Sequence, residues 1–340
     1  MIKEAINTLV SGSSLSFEQS AAVMAEMMDG EATPAQIAAF ITALRIKGET
    51  VDEIAGLASI MRAKAVPVKV TPPVIDTCGT GGDNSATINI STAAAFVAAG
   101  AGLKVAKHGN RAMTSQCGSA DVLEALGVKI DLNAEAVAGC LEKVGIGFMF
   151  APLFHPAMKH AAGPRREIGI RTVFNILGPL TNPARAEFQV IGVPDEALGQ
   201  KIAAALHRLG TKHSLVVHSL DGMDELSISG KSIVWEVNEQ GVLPPFEIDP
   251  DDFGFKKTGI GISEIRGGTP EENAGILHRI LNGQKGPARD VVVLNAAAAI
   301  YAGERVPDLQ EGARLAASAI DRGRAREKLE DLIELSNSLG

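Results

Sequence analysis

Three glycines within four positions, Gly79, Gly81 and Gly82, stand beside Thr80, Asp83, Asn84 and Ser85. Glycine turns with positive φ at little cost and lets backbone N–H groups approach a ligand closely. Pro73-Val74-Ile75 reads as the end of a short buried strand before the loop. Ala93 to Ala99 reads as a helix after it, with Asn89 or Ser91 placed to cap. A loop that feeds a helix N-terminus suits an anion such as phosphate, although the glycines alone also describe an ordinary strand-to-helix turn. Two familiar phosphate motifs are excluded. A dinucleotide fingerprint starting at Gly79 needs glycine at position 84, which is Asn84, and a Walker A loop needs Lys-Ser/Thr after its last glycine, where Asp83 stands.

Further along, Lys107-His108-Gly109-Asn110-Arg111 sets two fixed cations, an imidazole and an amide within five residues, with Thr114, Ser115, Gly118 and Ser119 following. Arg binds phosphate oxygens through a bidentate fork and Lys as a point charge. With the 79–83 loop this makes a two-sided polyphosphate cradle. Asp224-Glu225, near Gly222, supplies hard oxygen ligands of the kind Mg²⁺ takes beside phosphate. Arg165, in Gly163-Pro164-Arg165-Arg166-Glu167 ahead of an expected helix, can hold a substrate carboxylate or pair with Glu167. His155, His160, His213 and His218 lack ligand spacing and read as structural. Cys78 lacks a neighbouring base to make it a nucleophile.

The elements that must position these groups fall into two textures. Residues 1 to about 65 read as helices, punctuated by capping boxes at Ser16/Gln19, Thr33/Gln36 and Thr50/Glu53. Met24, Met27, Met28, Ile37, Phe40, Ile41 and Leu44 recur at helical spacing and read as core or helix–helix interface. A proline-rich stretch, 66–73, follows as a linker. Beyond it strands and helices alternate: strands are expected at 103–106, 147–151, 190–193, 215–218 and 291–295, and helices at 120–126, up to Leu209, and over 315–335. Alternation of this kind predicts an α/β fold with a mostly parallel sheet, whose ligands sit beyond the carboxyl ends of the strands.

The chain of 340 residues is 46% hydrophobic but only 4% aromatic, so small aliphatic side chains must fill its core. A net charge of −8 disfavours phosphate-driven nucleic-acid binding. The 3 cysteines are too few and too widely spaced for a disulfide framework or zinc site. With no signal-like segment and no long apolar run, a soluble cytoplasmic protein without membrane partners is expected.

Seven segments, GTGGD at 79–83, NIST at 89–92, KHGNRAMTS at 107–115, GSADVLEALG at 118–127, GPRRE at 163–167, NILGPLTNPA at 175–184 and DE at 224–225, together with AQIAAFITALRIKGET at 35–50, resemble the anthranilate phosphoribosyltransferase family. The resemblance spans nearly the whole chain in order. Its departures are mild: Met113-Thr114 where Val-Ser is common, and Met223 and Leu226 around the acidic pair.

The resemblance implies transfer of phosphoribose from phosphoribosyl pyrophosphate to the amine of anthranilate, in tryptophan synthesis, with Mg²⁺ at two ions per subunit. It implies a phosphoribosyl pyrophosphate site lined by Gly79, Gly82, Asp83, Thr87, Asn89, Ile90, Ser91 and Thr92. Its other side is Lys107, His108, Gly109, Asn110, Arg111, Ala112, Met113, Thr114, Ser115 and Ser119. Gly79, Asn110, Pro152, Arg165 and Gly178 are implied for anthranilate, and Ser91, Asp224 and Glu225 for metal. No residue is fixed as a catalytic base; His108 stands as the one candidate proton acceptor. A helical domain (1–66, rejoined by 165–180) that dimerises, beside an α/β domain (73–340), is implied as well. A pyrimidine nucleoside phosphorylase and an inactive nucleic-acid-binding relative remain as alternatives. The first does not need the acidic pair, and the second expects an eroded GTGGD.

Overall fold

A computed structural model describes residues 1–83, 85–112, 116–255 and 261–339. Four helices open the chain: α1 (Ile2–Val10), α2 (Phe17–Met28), α3 (Pro34–Lys47) and α4 (Val51–Lys64). All three expected capping boxes form. Ser16, Thr33 and Thr50 each accept from the backbone N–H three residues on, and the side chain at that position reaches back to the cap.

The rest is built on one eight-stranded sheet in the order β3-β2-β1-β4-β5-β6-β7, with β8 also paired to β6. β1 (Ile75–Gly79), β2 (Val105–Gly109), β3 (Ile146–Phe150), β4 (Phe188–Gly192) and β5 (His213–Ser219) run parallel. β6 (Ser232–Asn238), β7 (Gly241–Val242) and β8 (Phe246–Ile248) add an antiparallel edge. Sequence order reverses between β1 and β4, which creates the crevice where ligands bind in such sheets.

Helices α5 (Ile90–Gly100), α6 (Ser119–Ala125), α7 (Ala134–Lys143), α8 (Ala151–Phe154), α9 (Lys159–Ile168), α10 (Phe174–Leu177) and α11 (Glu196–Arg208) are interleaved with the strands. α12 (Pro270–Leu281), α13 (Pro287–Ala302), α14 (Leu309–Asp321) and α15 (Arg324–Ser338) follow them. Alternating strand residues face two apolar clusters. Val190, Leu215, Val217 and Val234 join the alanine-rich α5 and α13. Ile191, Val216, Trp235 and Val237 join α11 and the four opening helices, with Val173, Phe174, Ile176, Leu177 and Leu180. The methionine and aliphatic stripes of α2 and α3 are buried core. Among the described residues no helix is long and apolar enough to cross a membrane.

Several expected elements are corrected. The strand around Ile75 begins there instead of ending, so Cys78 and Gly79 are strand residues. Lys107, His108 and Gly109 likewise lie inside β2 and not after it. Gly163 to Glu167 are within α9, with Pro164 in the helix. Val291–Asn295 is part of α13, because a short apolar run fits a buried helix as well as a strand and the alanines after it extend the helical turn. The single closing helix is two, broken at Gly323 with φ 74°. The antiparallel edge was not anticipated.

Glu53 locks the helical layer. It is fully buried; its Oε1 accepts from Leu15 N–H at 2.9 Å, and its Oε2 accepts from Thr50 N–H at 2.8 Å and Lys47 Nζ at 2.9 Å. Lys47 is itself nearly buried, so Glu53→Ala removes the counter-charge of Lys47 and leaves the Leu15 and Thr50 amides without their acceptor. The expected loss is about 3–5 kcal/mol of unfolding free energy, measurable by urea titration against the wild type.

Candidate active site

The carboxyl ends of β1, β2 and β4 converge on one cleft. Gly79 and Gly192 end β1 and β4 as partners in register, and the loop carrying Asp224 lies directly on them. A Cβ on Gly79 would stand 2.2 Å from Asp224 Oδ2, and one on Gly192 would stand 1.5 Å from the Asp224 carbonyl oxygen. Only side-chain-free residues permit that approach. Asn295, from α13, fixes the next turn: its amide accepts from Leu226 N–H at 3.0 Å and donates to Leu226 O at 2.9 Å.

Asp224 Oδ2 accepts from Gly81 N–H at 2.7 Å, tying the acidic loop to the glycine loop. Asp83 approaches from the same loop, its Oδ2 3.5 Å from Asp224 N. Glu225 Oε1 accepts from Ser91 N–H at 3.1 Å, in the first turn of α5. Lys107 is 3% exposed; its Nζ donates to Thr77 O at 2.6 Å and lies 3.5 Å from Ser91 Oγ. Gly79, Asp83, Ser91, Lys107, Asp224 and Glu225, drawn from separate segments of the chain, therefore share one floor. Burial, then the charge of Asp83, raises Asp224 well above the usual carboxylate range; burial, then Asp224, raises Glu225. Among the described residues no three His, Cys, Asp or Glu side chains form a ready-made metal cage. Two carboxylates and a hydroxyl, held close in a site that penalises their charge, fit a hard cation that completes its shell with water and substrate oxygens.

Gly82 and Thr87 flank this floor, Thr87 bridging to Arg266, and Ile90 and Thr92 are buried in α5. Asn89 precedes α5 without capping it by its side chain. Its amide donates to Cys117 O at 3.0 Å and accepts from Asn273 Nδ2 at 2.8 Å. Asp121 accepts from Ala112 N–H and Gly118 N–H, both at 2.9 Å, and so holds these two residues together. Arg111 pairs with α6 residues, 3.0 Å from Asp121 and 2.8 Å from Glu124. Ser119 Oγ donates to Asn110 O at 3.3 Å, and Gly109 leaves room for that hydroxyl. Met113, Thr114 and Ser115 lie outside the described residues.

On the other side, Pro152 lies in the first turn of α8, and Gly178 begins a 3-10 turn (Gly178–Thr181). Arg165 is half-buried in α9 and turns its guanidinium onto the Phe174 ring, 5.0 Å from the ring centre, rather than onto Glu167. Two residues that the motifs did not single out hold the floor together. Asn182 Nδ2 donates to Asp76 Oδ2 at 2.7 Å and to Ala106 O at 2.8 Å, while Asp76 Oδ1 accepts from His108 N–H at 3.2 Å. Burial pushes the Asp76 carboxyl up to about 6. An asparagine in a proline-rich turn and an aspartate inside an apolar strand are the sequence signals for this node.

His108 points toward His155, with ring centres 5.0 Å apart. Burial lowers its pKa to about 3 and that of His155 to about 4. Burial thus makes the His108 imidazole a weaker base than a solvated one. His155 is thus beside the cleft. His213 pairs instead with Glu236 at 2.8 Å, His218 Nδ1 contacts Val193 O at 3.0 Å, and His160 packs on Gly30. Burial holds the Cys78 thiol well above its usual range, which makes it a poor nucleophile.

The histidine pair has a consequence for stability. Both rings are neutral when folded and gain a proton on unfolding below about pH 6.5, so they stabilise the fold above that pH and lose this contribution as pH falls toward 4. His155→Leu is expected to flatten the fall in urea midpoint between about pH 7.5 and 5 relative to the wild type.

The description "Glycosyl transferase family, helical bundle domain" matches residues 3–65, and "Glycosyl transferase family, a/b domain" matches residues 71–326. The anthranilate phosphoribosyltransferase of Dehalococcoides mccartyi (strain ATCC BAA-2266 / KCTC 15142 / 195) is 60% identical over 340 residues, covering 100% of this chain and 99% of that protein. That of Chloroflexus aggregans is 58% identical over 336 residues, 98% of each. The crystal structure of anthranilate phosphoribosyltransferase from Thermus thermophilus superposes with a TM-score of 0.92 at 44% identity, covering 98% of this chain and 99% of that one. The Saccharomyces cerevisiae enzyme in complex with PRPP and Mg gives 0.91 at 29% identity, over 99% and 98%. With relatives above half identity over nearly the whole of both chains and a shared overall fold, the chain belongs to the anthranilate phosphoribosyltransferase family.

Proposed function

We propose that the protein transfers the phosphoribosyl group of 5-phosphoribosyl 1-pyrophosphate to the amine of anthranilate, releasing pyrophosphate. The observation that carries this reading is the common floor of Gly79, Ser91, Lys107, Asp224 and Glu225 at the β1/β4 switch point. It joins backbone donors, a buried cation and oxygen ligands where a diphosphate and a hard cation would meet. The relatives compared above bear the transferase name, and neither the nucleoside phosphorylase nor the nucleic-acid reading is favoured by them.

Ser91, Asp224 and Glu225 hold Mg²⁺ in this proposal, at two ions per subunit. Bound there, Mg²⁺ supplies charge stabilisation for the departing pyrophosphate. The glycine loop and the N-terminus of α5 contribute N–H donors, and Lys107 adds a fixed positive charge toward developing negative charge. Arg165, with Asn110, Pro152 and Gly178, orients the aromatic acid so that its amine faces the ribose. That amine is already neutral at pH 7, so positioning suffices without a strong base, in keeping with the weak basicity of His108.

Residues 1–66, with 165–180, form in this reading the dimerising unit of a homodimer, and 73–340 the catalytic one. The three cysteines are free, consistent with a cytoplasmic setting.

Loss of anthranilate fluorescence on mixing protein, both substrates and Mg²⁺ is the expected result; a flat trace from folded protein rejects the assignment. Asp224→Ala with Glu225→Ala is expected to lower turnover and blunt its dependence on Mg²⁺ in a metal titration. Arg165→Ala is expected to raise KM for anthranilate, by loss of a charge-assisted contact of about 1.5–3 kcal/mol, with KM for phosphoribosyl pyrophosphate nearly unchanged. An equal rise in both would assign the arginine a structural role.

A further inference from the structure

Arg171 lies in the short segment between α9 and α10, which begins at Gly169 with φ 67°. Its Nη2 donates to Gly81 O at 2.6 Å across the cleft, and a Cβ on Gly82 would stand 1.0 Å from its Nη1. The Gly81 peptide groups are therefore gripped from two sides, the N–H by Asp224 and the carbonyl by Arg171. Gly81 and Gly82 both have positive φ, 71° and 82°, so the loop holds this shape only while such contacts oppose its freedom. Among the described residues no carboxylate pairs with Arg171. A guanidinium left with a net charge beside a glycine loop is suited to phosphate oxygens, which it can meet with several N–H donors at once.

We propose that Arg171 is a positioning residue for the pyrophosphate end of the substrate: it latches the glycine loop at Gly81 and adds its positive charge to that side of the cleft. This inference rests on the phosphoribosyl pyrophosphate reading of the site.

The test is titration calorimetry of inorganic pyrophosphate with Mg²⁺ into the wild type, Arg171→Met and Arg171→Lys, with steady-state kinetics alongside. Arg171→Met is expected to weaken pyrophosphate binding about ten-fold and to raise KM for phosphoribosyl pyrophosphate similarly. KM for anthranilate should stay within about two-fold and the melting temperature should be preserved. Arg171→Lys, which keeps the charge and loses the fork, is expected to recover part of the affinity. Equal pyrophosphate binding by wild type and Arg171→Met overturns the inference and leaves the site reading intact. Failure of the wild type to bind pyrophosphate removes the site reading and the inference together. An equal rise in both KM values makes Arg171 a general strut and also overturns it. Because the side chain is only half-buried, the Met variant is expected to fold; should it melt early, Arg171→Gln provides the same comparison.

Discussion

The cleft depends on one steric condition. Gly79 and Gly192 end neighbouring strands in register, and the Asp224 loop rests on the space where their side chains would be. Without that depression the acidic loop stands away from the sheet, and Asp224 no longer reaches Gly81 N–H. The contact also joins parts of the chain more than a hundred residues apart, since Asp224 and Gly81 are 143 positions distant. A backbone gap at the switch point is thus converted into a carboxylate aimed at the glycine loop.

Electrostatics then shape what such a floor can hold. Asp83, Asp224 and Glu225 crowd negative charge into a poorly solvated site, which raises the last two. Lys107 partly opposes them on Glu225. Burial makes an unpaired charge expensive, so a cation that neutralises the carboxylates gains more here than at the surface. Beneath the floor, the Asp76–Asn182 pair crosslinks β1, β2 and the 178–182 turn. The two halves of the cleft are therefore held by one buried polar node as well as by the sheet.

Much of the scaffold was legible in order along the chain. The capping boxes at Ser16, Thr33 and Thr50 are local, because donor and acceptor are three residues apart, and all formed. The β/α alternation gave the parallel sheet, since each unit carries its own hydrophobic pattern. Local pattern failed where burial removed it: Val291 to Asn295 are all buried because α13 is enclosed, and the four apolar residues 291–294 run on without a polar face, so the period is erased. The strand limits at Ile75 and Lys107 slipped for a related reason. Lys107 is a buried charge inside a strand, and its Thr77 and Ser91 partners come from elsewhere.

By itself the sequence determined which residues have the chemistry for phosphate and metal, and that helices precede an α/β region. Those properties follow from residue type and near-neighbour spacing. Tertiary structure alone decided that Asp224 lies on Gly79 and Gly192, that Arg111 pairs with Asp121 and Glu124, and that His108 is buried against His155. It also decided that Arg171 crosses to Gly81. These depend on contacts between segments as far apart in the chain as Gly79 and Asp224, set by strand order and by which side chains are missing, and no local pattern records either.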